Sequence, residues 1–246
     1  MKRCVITGAS SGIGAALAQV FAEQGYEVVG IDRNEPSASQ LKRFIKADLS
    51  SHEGLESLTT ELAGTPIDLL IHSAGINSVG AFEKADMGLQ RTVLDVNLRA
   101  PVQLTTALLA NGILRRGSTL VFIASLSHFV SYPGAAAYAA SKDGLTAYAR
   151  SLSVALKPQG IHIMTVFPGP TRTPHASEHS PDNSREAKRM PPEVLARELA
   201  AALEQKRYRF IPGVSNRAFA LIGTLFPTLT ERIMLRTLFA KLEHGP

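Results

Sequence analysis

Residues 4 to 14 restrict the possible folds of this chain more than any other stretch. An apolar run, Cys4-Val5-Ile6, leads into Thr7-Gly8-Ala9-Ser10-Ser11-Gly12-Ile13-Gly14, and an amphipathic pattern continues to Phe21. That order predicts a buried strand, a glycine turn and a helix start. Gly8 permits a tight turn, Gly12 lets backbone approach a pyrophosphate, and Gly14 lets helix and strand pack closely. The exposed N–H groups and the helix dipole would then receive phosphate oxygens. A purely structural strand-to-helix turn is the alternative reading. The glycines follow Gly-x-x-x-Gly-x-Gly, not Gly-x-Gly-x-x-Gly.

The rest of the chain repeats the same unit. Short apolar runs near 3–7, 27–31, 43–47, 67–72, 118–124, 161–167 and 207–211 alternate with helical patterns near 12–24, 52–63, 87–111, 138–156 and 193–205. Two more helices are read in the tail. Such alternation predicts an α/β fold, a doubly wound, seven-stranded parallel sheet with helices on both faces. At 246 residues and 45% hydrophobic content the chain can bury a full core as one domain. Between Arg33 and Lys42 the connection is short and holds Pro36, so any helix there is stunted. Residues 174–192 form the one long polar loop, placed to cover a substrate. The lone cysteine, Cys4, reads as a small core residue in the first strand. No signal segment is visible before that strand, and cytoplasmic residence is the expectation.

Chemistry enters with Tyr138-Ala139-Ala140-Ser141-Lys142. On a helix this spacing sets a phenol and an ammonium on one face. A phenol of ordinary pKa about 10 is a poor base at pH 7, and a nearby cation favours its phenolate. Alone, the pair is as easily an exposed helical contact. Together with the glycine turn it resembles the short-chain dehydrogenase/reductase family, in its compact type of about 250 residues and a Rossmann-like fold; the resemblance runs from Lys2 to about Pro212.

Further motifs carry the resemblance. Ser125 lies thirteen residues before Tyr138, the spacing of the family's catalytic serine, and Asn97 in Val96-Asn97-Leu98 matches its catalytic asparagine. Asp48-Leu49 matches its adenine-edge pair, and Pro168-Gly169-Pro170-Thr171-Arg172-Thr173 its nicotinamide loop. The resemblance implies a catalytic set of Asn97, Ser125, Tyr138 and Lys142. It implies a cofactor site of Gly8, Ser10, Ser11, Gly12, Ile13, Gly14, Asp32, Arg33, Asp48, Leu49, Ala74, Gly75, Tyr138, Lys142, Pro168, Gly169, Thr171 and Thr173. Tyr138 would exchange a proton with the substrate oxygen as hydride moves to or from nicotinamide. Lys142 would lower the Tyr138 pKa and hold the ribose hydroxyls, and Ser125 would hydrogen-bond the substrate oxygen. One departure stands out: the family's Asn-Asn-Ala-Gly is His72-Ser73-Ala74-Gly75 here, and Ser73 replaces only part of an amide's hydrogen bonding.

Asn97 supports an argument independent of any family. Four residues on comes Pro101, which has no N–H to donate to the Asn97 carbonyl. A kink there frees that carbonyl for a water, and the resemblance implies that such a water links Lys142 to solvent. A kink serving only helix packing is the alternative.

Asp32 ends the second strand, eighteen residues after Gly14, where an acid accepts adenosine ribose hydroxyls. A 2′-phosphate at about 4 Å would be repelled by roughly 4 kcal/mol at an effective dielectric near 20, so NAD is expected. Arg33 argues for NADP, or stacks on adenine. The expected substrate is a small alcohol or ketone, with a lean to an apolar carbonyl compound, and homodimers or homotetramers are implied. His72 reads as a buried strand residue, while His128 either faces substrate or has no role. His175 and His179 lack companions, so no metal is expected.

The tail from 206 to 246 carries seven Lys/Arg against Glu231 and Glu243, which is the whole net charge of +5. Its longest charge-free run, Ala218 to Thr230, is 13 residues and holds Pro227, too short for a membrane span. Residues 213–246 are expected as a helical extension that packs on the domain or a partner subunit, with peripheral lipid contact as the sharper alternative. Basic residues interleaved with leucines argue against nucleic acid. A cofactor-binding regulator without turnover is the rival from another class, disfavoured by the complete Ser-Tyr-Lys-Asn set.

Overall fold

Unbroken apolar runs become strands with neighbours on both sides, because only a sheet covered on both faces buries every residue of the run. The computed structural model describes residues 1–36, 40–178 and 186–239. In it β1 (Arg3–Thr7), β2 (Glu27–Asp32), β3 (Arg43–Lys46), β4 (Leu69–His72), β5 (Thr119–Ile123), β6 (His162–Val166) and β7 (Arg209–Phe210) form one sheet. Its order is β3-β2-β1-β4-β5-β6-β7, with every pair parallel. β1 and β4 are buried at every position. The strand order reverses between them, which opens a crevice at their carboxyl ends.

The helices are α1 (Gly12–Glu23), α2 (His52–Glu61), α3 (Met87–Leu94), α4 (Ala100–Ala110), α5 (Ser127–Val130), α6 (Ala136–Ala155), α7 (Pro174–Glu178), α8 (Pro192–Glu204), α9 (Val214–Leu225) and α10 (Pro227–Met234). α1 and α8 cover one face through Leu17, Phe21, Leu195 and Leu199. α2, α4 and α6 cover the other through Leu58, Leu104, Leu108 and Leu145. Cys4 is fully buried among the first group.

Two expectations change, and two others are met in detail. The single helix read near 87–111 is two helices joined by a π-turn, Asp95–Arg99, in which the Ala100 N–H reaches back to the Asp95 carbonyl. Pro101 then sits in the first turn of α4, directly after the π-turn. The segment after Thr173 is not all loop: α7 and a 3-10 turn at Glu186–Lys188 occupy part of it, while residues 179–185, His179 among them, lie outside the described residues. Between Arg33 and Lys42 the described residues hold no helix. In the tail, α9 and α10 do pack on the domain, burying Ala220 and Thr230 against the α5 region, but their outer faces stay apolar.

Candidate active site

The glycine turn is built by close contacts that only hydrogen side chains allow. Gly8 has φ +72°, and a Cβ on it would lie 2.7 Å from the Ala74 Cα. A Cβ on Gly14 would lie 1.9 Å from the Gly8 carbonyl oxygen, so α1 rests directly on the end of β1. Gly12, with φ +54°, faces the Thr173 methyl group at 3.0 Å from its own absent Cβ. Ser11 is the N-cap of α1 without a side-chain cap bond, and the first turn holds no acidic residue. The leading N–H groups and dipole of α1 therefore have no carboxylate partner of their own, and the cradle suits a phosphate. Ile13 turns into the α1 core.

Asp32 stands beside this turn. Its carboxylate accepts from the Ser10 N–H (3.1 Å) and hydroxyl (2.6 Å) on one oxygen and from the Asn34 N–H (3.3 Å) on the other. Ser10, expected to meet the cofactor, is thus also the residue that positions Asp32. Asp48 accepts from the N–H (2.8 Å) and hydroxyl (2.7 Å) of Ser50. Those bonds hold its carboxyl below the ordinary value, and the charge of exposed Arg33 adds to the effect. Leu49 is buried in the core, so its side chain serves packing.

At the exit of β4 the Thr7 hydroxyl accepts from the N–H of both Ser73 (3.1 Å) and Ala74 (3.2 Å). That clamp anchors the backbone where the family's second asparagine is missing. His72 is the buried strand residue expected, bonded to the Thr105 hydroxyl at 2.8 Å and stacked on Phe122. Burial lowers its pKa to about 3, so it is neutral.

Asn97 is fully buried, and its side chain has three partners. The carbonyl oxygen accepts from the Ile76 N–H (2.9 Å), and the amide donates to the Ile76 carbonyl (2.9 Å) and the Ser141 hydroxyl (3.0 Å). Lys142, on α6, donates from Nζ to the Ile123 carbonyl at 2.8 Å. Burial lowers its pKa to about 8. A Cβ on Gly75 would lie 3.2 Å from that Nζ and 3.4 Å from the Asn97 side-chain oxygen, so the β4 exit, the π-turn and α6 meet at one point.

Tyr138 lies on the same face of α6, with the Lys142 Nζ 5.8 Å from its ring centre. The expectation that Lys142 lowers the phenol's pKa is not met in this arrangement. Burial pushes the phenol up, a hydrogen bond with Ser125 opposes it, and Tyr132 adds to the rise. The ammonium is engaged by Ile123, and desolvation of the phenol dominates. Ser125 follows β5, and its oxygen also accepts the Ser127 N–H at 3.2 Å, which starts α5.

The 168–173 loop closes the crevice. The Pro168 carbonyl accepts from the Leu126 N–H (2.8 Å), Thr171 is buried and donates to the Gly169 carbonyl (3.0 Å), and Thr173 caps α7 through the Ala176 N–H (3.1 Å). A Cβ on Gly169 would strike the Asn216 side chain. His128 pairs with Asp143 (Nδ1 to Oδ1, 2.9 Å), one residue past Lys142. Sequence reasoning missed Thr7, Ser10 as the Asp32 anchor, Ser141 and Asn216. Of these only Asn216 stood outside the recognised motifs.

Comparisons agree with this geometry. A family model described as short chain dehydrogenase matches residues 2–184. The dehydrogenase/reductase SDR family member 7B of Xenopus laevis is 31% identical, over 94% of this chain and 80% of its own. An oxidoreductase of Thermotoga maritima is 32% identical, over 68% of this chain and 70% of its own. Among solved structures, a 4-hydroxyisoleucine dehydrogenase complexed with NADH superposes with a TM-score of 0.76 at 25% identity, covering 86% of this chain and 96% of that one. The chain belongs to the short-chain dehydrogenase/reductase family and is an NAD(P)-dependent oxidoreductase.

Proposed function

We propose that this enzyme transfers a hydride between NAD(H) and a secondary alcohol or ketone through Ser125, Tyr138, Lys142 and Asn97. The single observation that carries the reading is the convergence of Gly75, Asn97 and Lys142 at one point behind Tyr138, whose phenol bonds Ser125. Gly8, Ser11, Gly12 and the N-terminus of α1 would hold the pyrophosphate, Asp32 the adenosine ribose, and Asp48 with Ala74 the adenine side. Ile13 and Gly14 shape the turn, and the 168–173 loop borders the nicotinamide. When bound, the nicotinamide supplies the hydride acceptor or donor. Tyr138 gives or takes the proton at the substrate oxygen, Ser125 donates to that oxygen, and Lys142 carries positive charge into a buried site. Asn97 holds the β4 exit in register with α6.

Asp32, anchored by Ser10, favours NAD, and Arg33 is the observation that keeps NADP as a second reading. Residues 174–192 would cover the substrate in a single-domain enzyme that we place in the cytoplasm. An apolar carbonyl compound is the preferred substrate class: Phe129, Val130 and Pro133, together with polar His128, Asp143 and Arg209, line a groove of about 850 Å³ between the α5 region and the tail, beside Tyr132, whose ring meets Tyr138 edge-on. Homodimers or homotetramers would form through α3, α4 and α6. The test is Tyr138→Phe, assayed against a panel of secondary alcohols and ketones with both cofactors. Turnover should fall at least about a hundredfold with cofactor affinity nearly intact; full activity in the variant would refute the assignment.

A further inference from the structure

Val214, Ala218, Leu221 and Leu225 fall at i, i+4, i+7 and i+11 of α9, and so form one stripe. All four are exposed, Val214 at 75%, Leu221 at 60% and Leu225 at 61% of their full surface. The opposite side of α9 is held against the domain: Ala220 is buried, and a Cβ on Gly223 would lie 2.2 Å from the Phe129 carbonyl oxygen. A helix docked this closely through one face has no structural use for an apolar second face. The stripe continues over the turn and α10 through exposed Phe226, Leu229 and Ile233. Arg217, Arg232 and Arg236 are exposed along it, with Glu231 as the one exposed acid among residues 214–239.

We propose that the outer face of α9 and α10 docks the enzyme on an anionic lipid bilayer surface. No helix among the described residues is long and apolar enough to cross a membrane, and α9 and the 227–237 helix are bent by 116°. The pair therefore lies along a surface, leucines toward the acyl region and arginines at the headgroups. Charge selects lipid over a second copy of the chain: a two-fold contact would set the three arginines against their own counterparts with only Glu231 to offset them. Phosphate headgroups complement all three. The inner face of α9 and α10 packs on α5, the segment that follows Ser125, so the docked face lies on the far side of the pair from it.

The chain contains no tryptophan, so Leu225→Trp supplies a silent background for fluorescence. Mix the full-length variant with vesicles of phosphatidylcholine, with and without phosphatidylserine. The reading expects a blue shift and co-flotation with the anionic vesicles. It also expects that adding Arg217→Glu, Arg232→Glu and Arg236→Glu cuts binding at least a hundredfold, at about fivefold per arginine. NAD affinity and turnover in solution should stay unchanged, which shows the variants are folded. No binding, equal binding to both vesicle types, or binding indifferent to the charge reversal would overturn it. So would sedimentation showing that Leu221→Ser with Leu225→Ser splits an oligomer while the wild type ignores vesicles, since the face would then belong to a second copy.

Discussion

Lys142→Met separates what the active site needs from what the fold prefers. Burial holds the Lys142 pKa at about 8 against an ordinary 10.5. At about 1.4 kcal/mol per pH unit, carrying the charge into the folded state costs about 3 kcal/mol. Methionine has a similar length and suits the apolar surroundings. It removes that cost but loses the bond to the Ile123 carbonyl, worth about 1 kcal/mol for a neutral amine. The variant should therefore be about 2 kcal/mol more stable than wild type at pH 7, a rise of several degrees in melting temperature, while turnover falls at least about a hundredfold. The sign follows from linkage. Below pH 8 both folded and unfolded chains hold the proton, and the penalty is complete. From pH 8 to 10.5 the folded state has released the proton that the unfolded chain still holds, so wild-type stability rises with pH. The advantage of methionine should shrink to nothing by about pH 10. Urea denaturation of both proteins at pH 7 and pH 10 measures this. A variant less stable than wild type at pH 7, or a difference that does not change with pH, would show that the ammonium is well solvated and the burial argument wrong.

Three further outcomes are expected. Asp32→Ala should weaken NAD about tenfold or more, as one charge-assisted contact is lost, and shift preference toward NADP; calorimetric titration of both cofactors decides, and a wild-type preference for NADP would make Arg33 the dominant residue. Gly14→Ala places a methyl carbon where 1.9 Å remains to the Gly8 carbonyl, so α1 must leave β1 at a cost of at least about 3 kcal/mol, read as a lowered urea midpoint; a stability equal to wild type would contradict the packing described. Pro101→Ala supplies an N–H four residues after Asn97 and should slow turnover with near-normal NAD affinity and melting temperature; an unaltered pH profile of turnover would mean that Pro101 serves packing alone.

The sheet was legible because each strand is an apolar run bounded by turn residues, and parallel strands buried on both faces need no alternation to be recognised. The glycine turn was legible for another reason: a contact of 1.9 Å at Gly14 tolerates no other side chain, so the constraint is written in the residue type. What escaped was tertiary. α5 is four residues long, too short for any periodicity to register. The Ser10–Asp32 bond spans 22 residues and Asn97–Ser141 spans 44, distances over which spacing carries no signal. Lys142 was read as a partner for Tyr138 from helical geometry, yet the Ile123 carbonyl across the fold engages its charge.

Asn97 shows how these levels combine. With its side-chain oxygen on the Ile76 N–H and its amide on Ile76 and Ser141, the side chain is committed to holding the β4 exit against α6. Any proton path through this residue must then run through its main-chain carbonyl. Pro101 withholds the N–H that a regular helix would offer that carbonyl. The π-turn at Asp95–Arg99 adds the extra residue that lets α3 and α4 remain nearly continuous while Asn97 turns inward. Proline alone would have served for a kink and the amide alone for a clamp. A residue placed to do both is confined to a widened turn, and the π-turn at Asp95–Arg99 is where this chain puts Asn97.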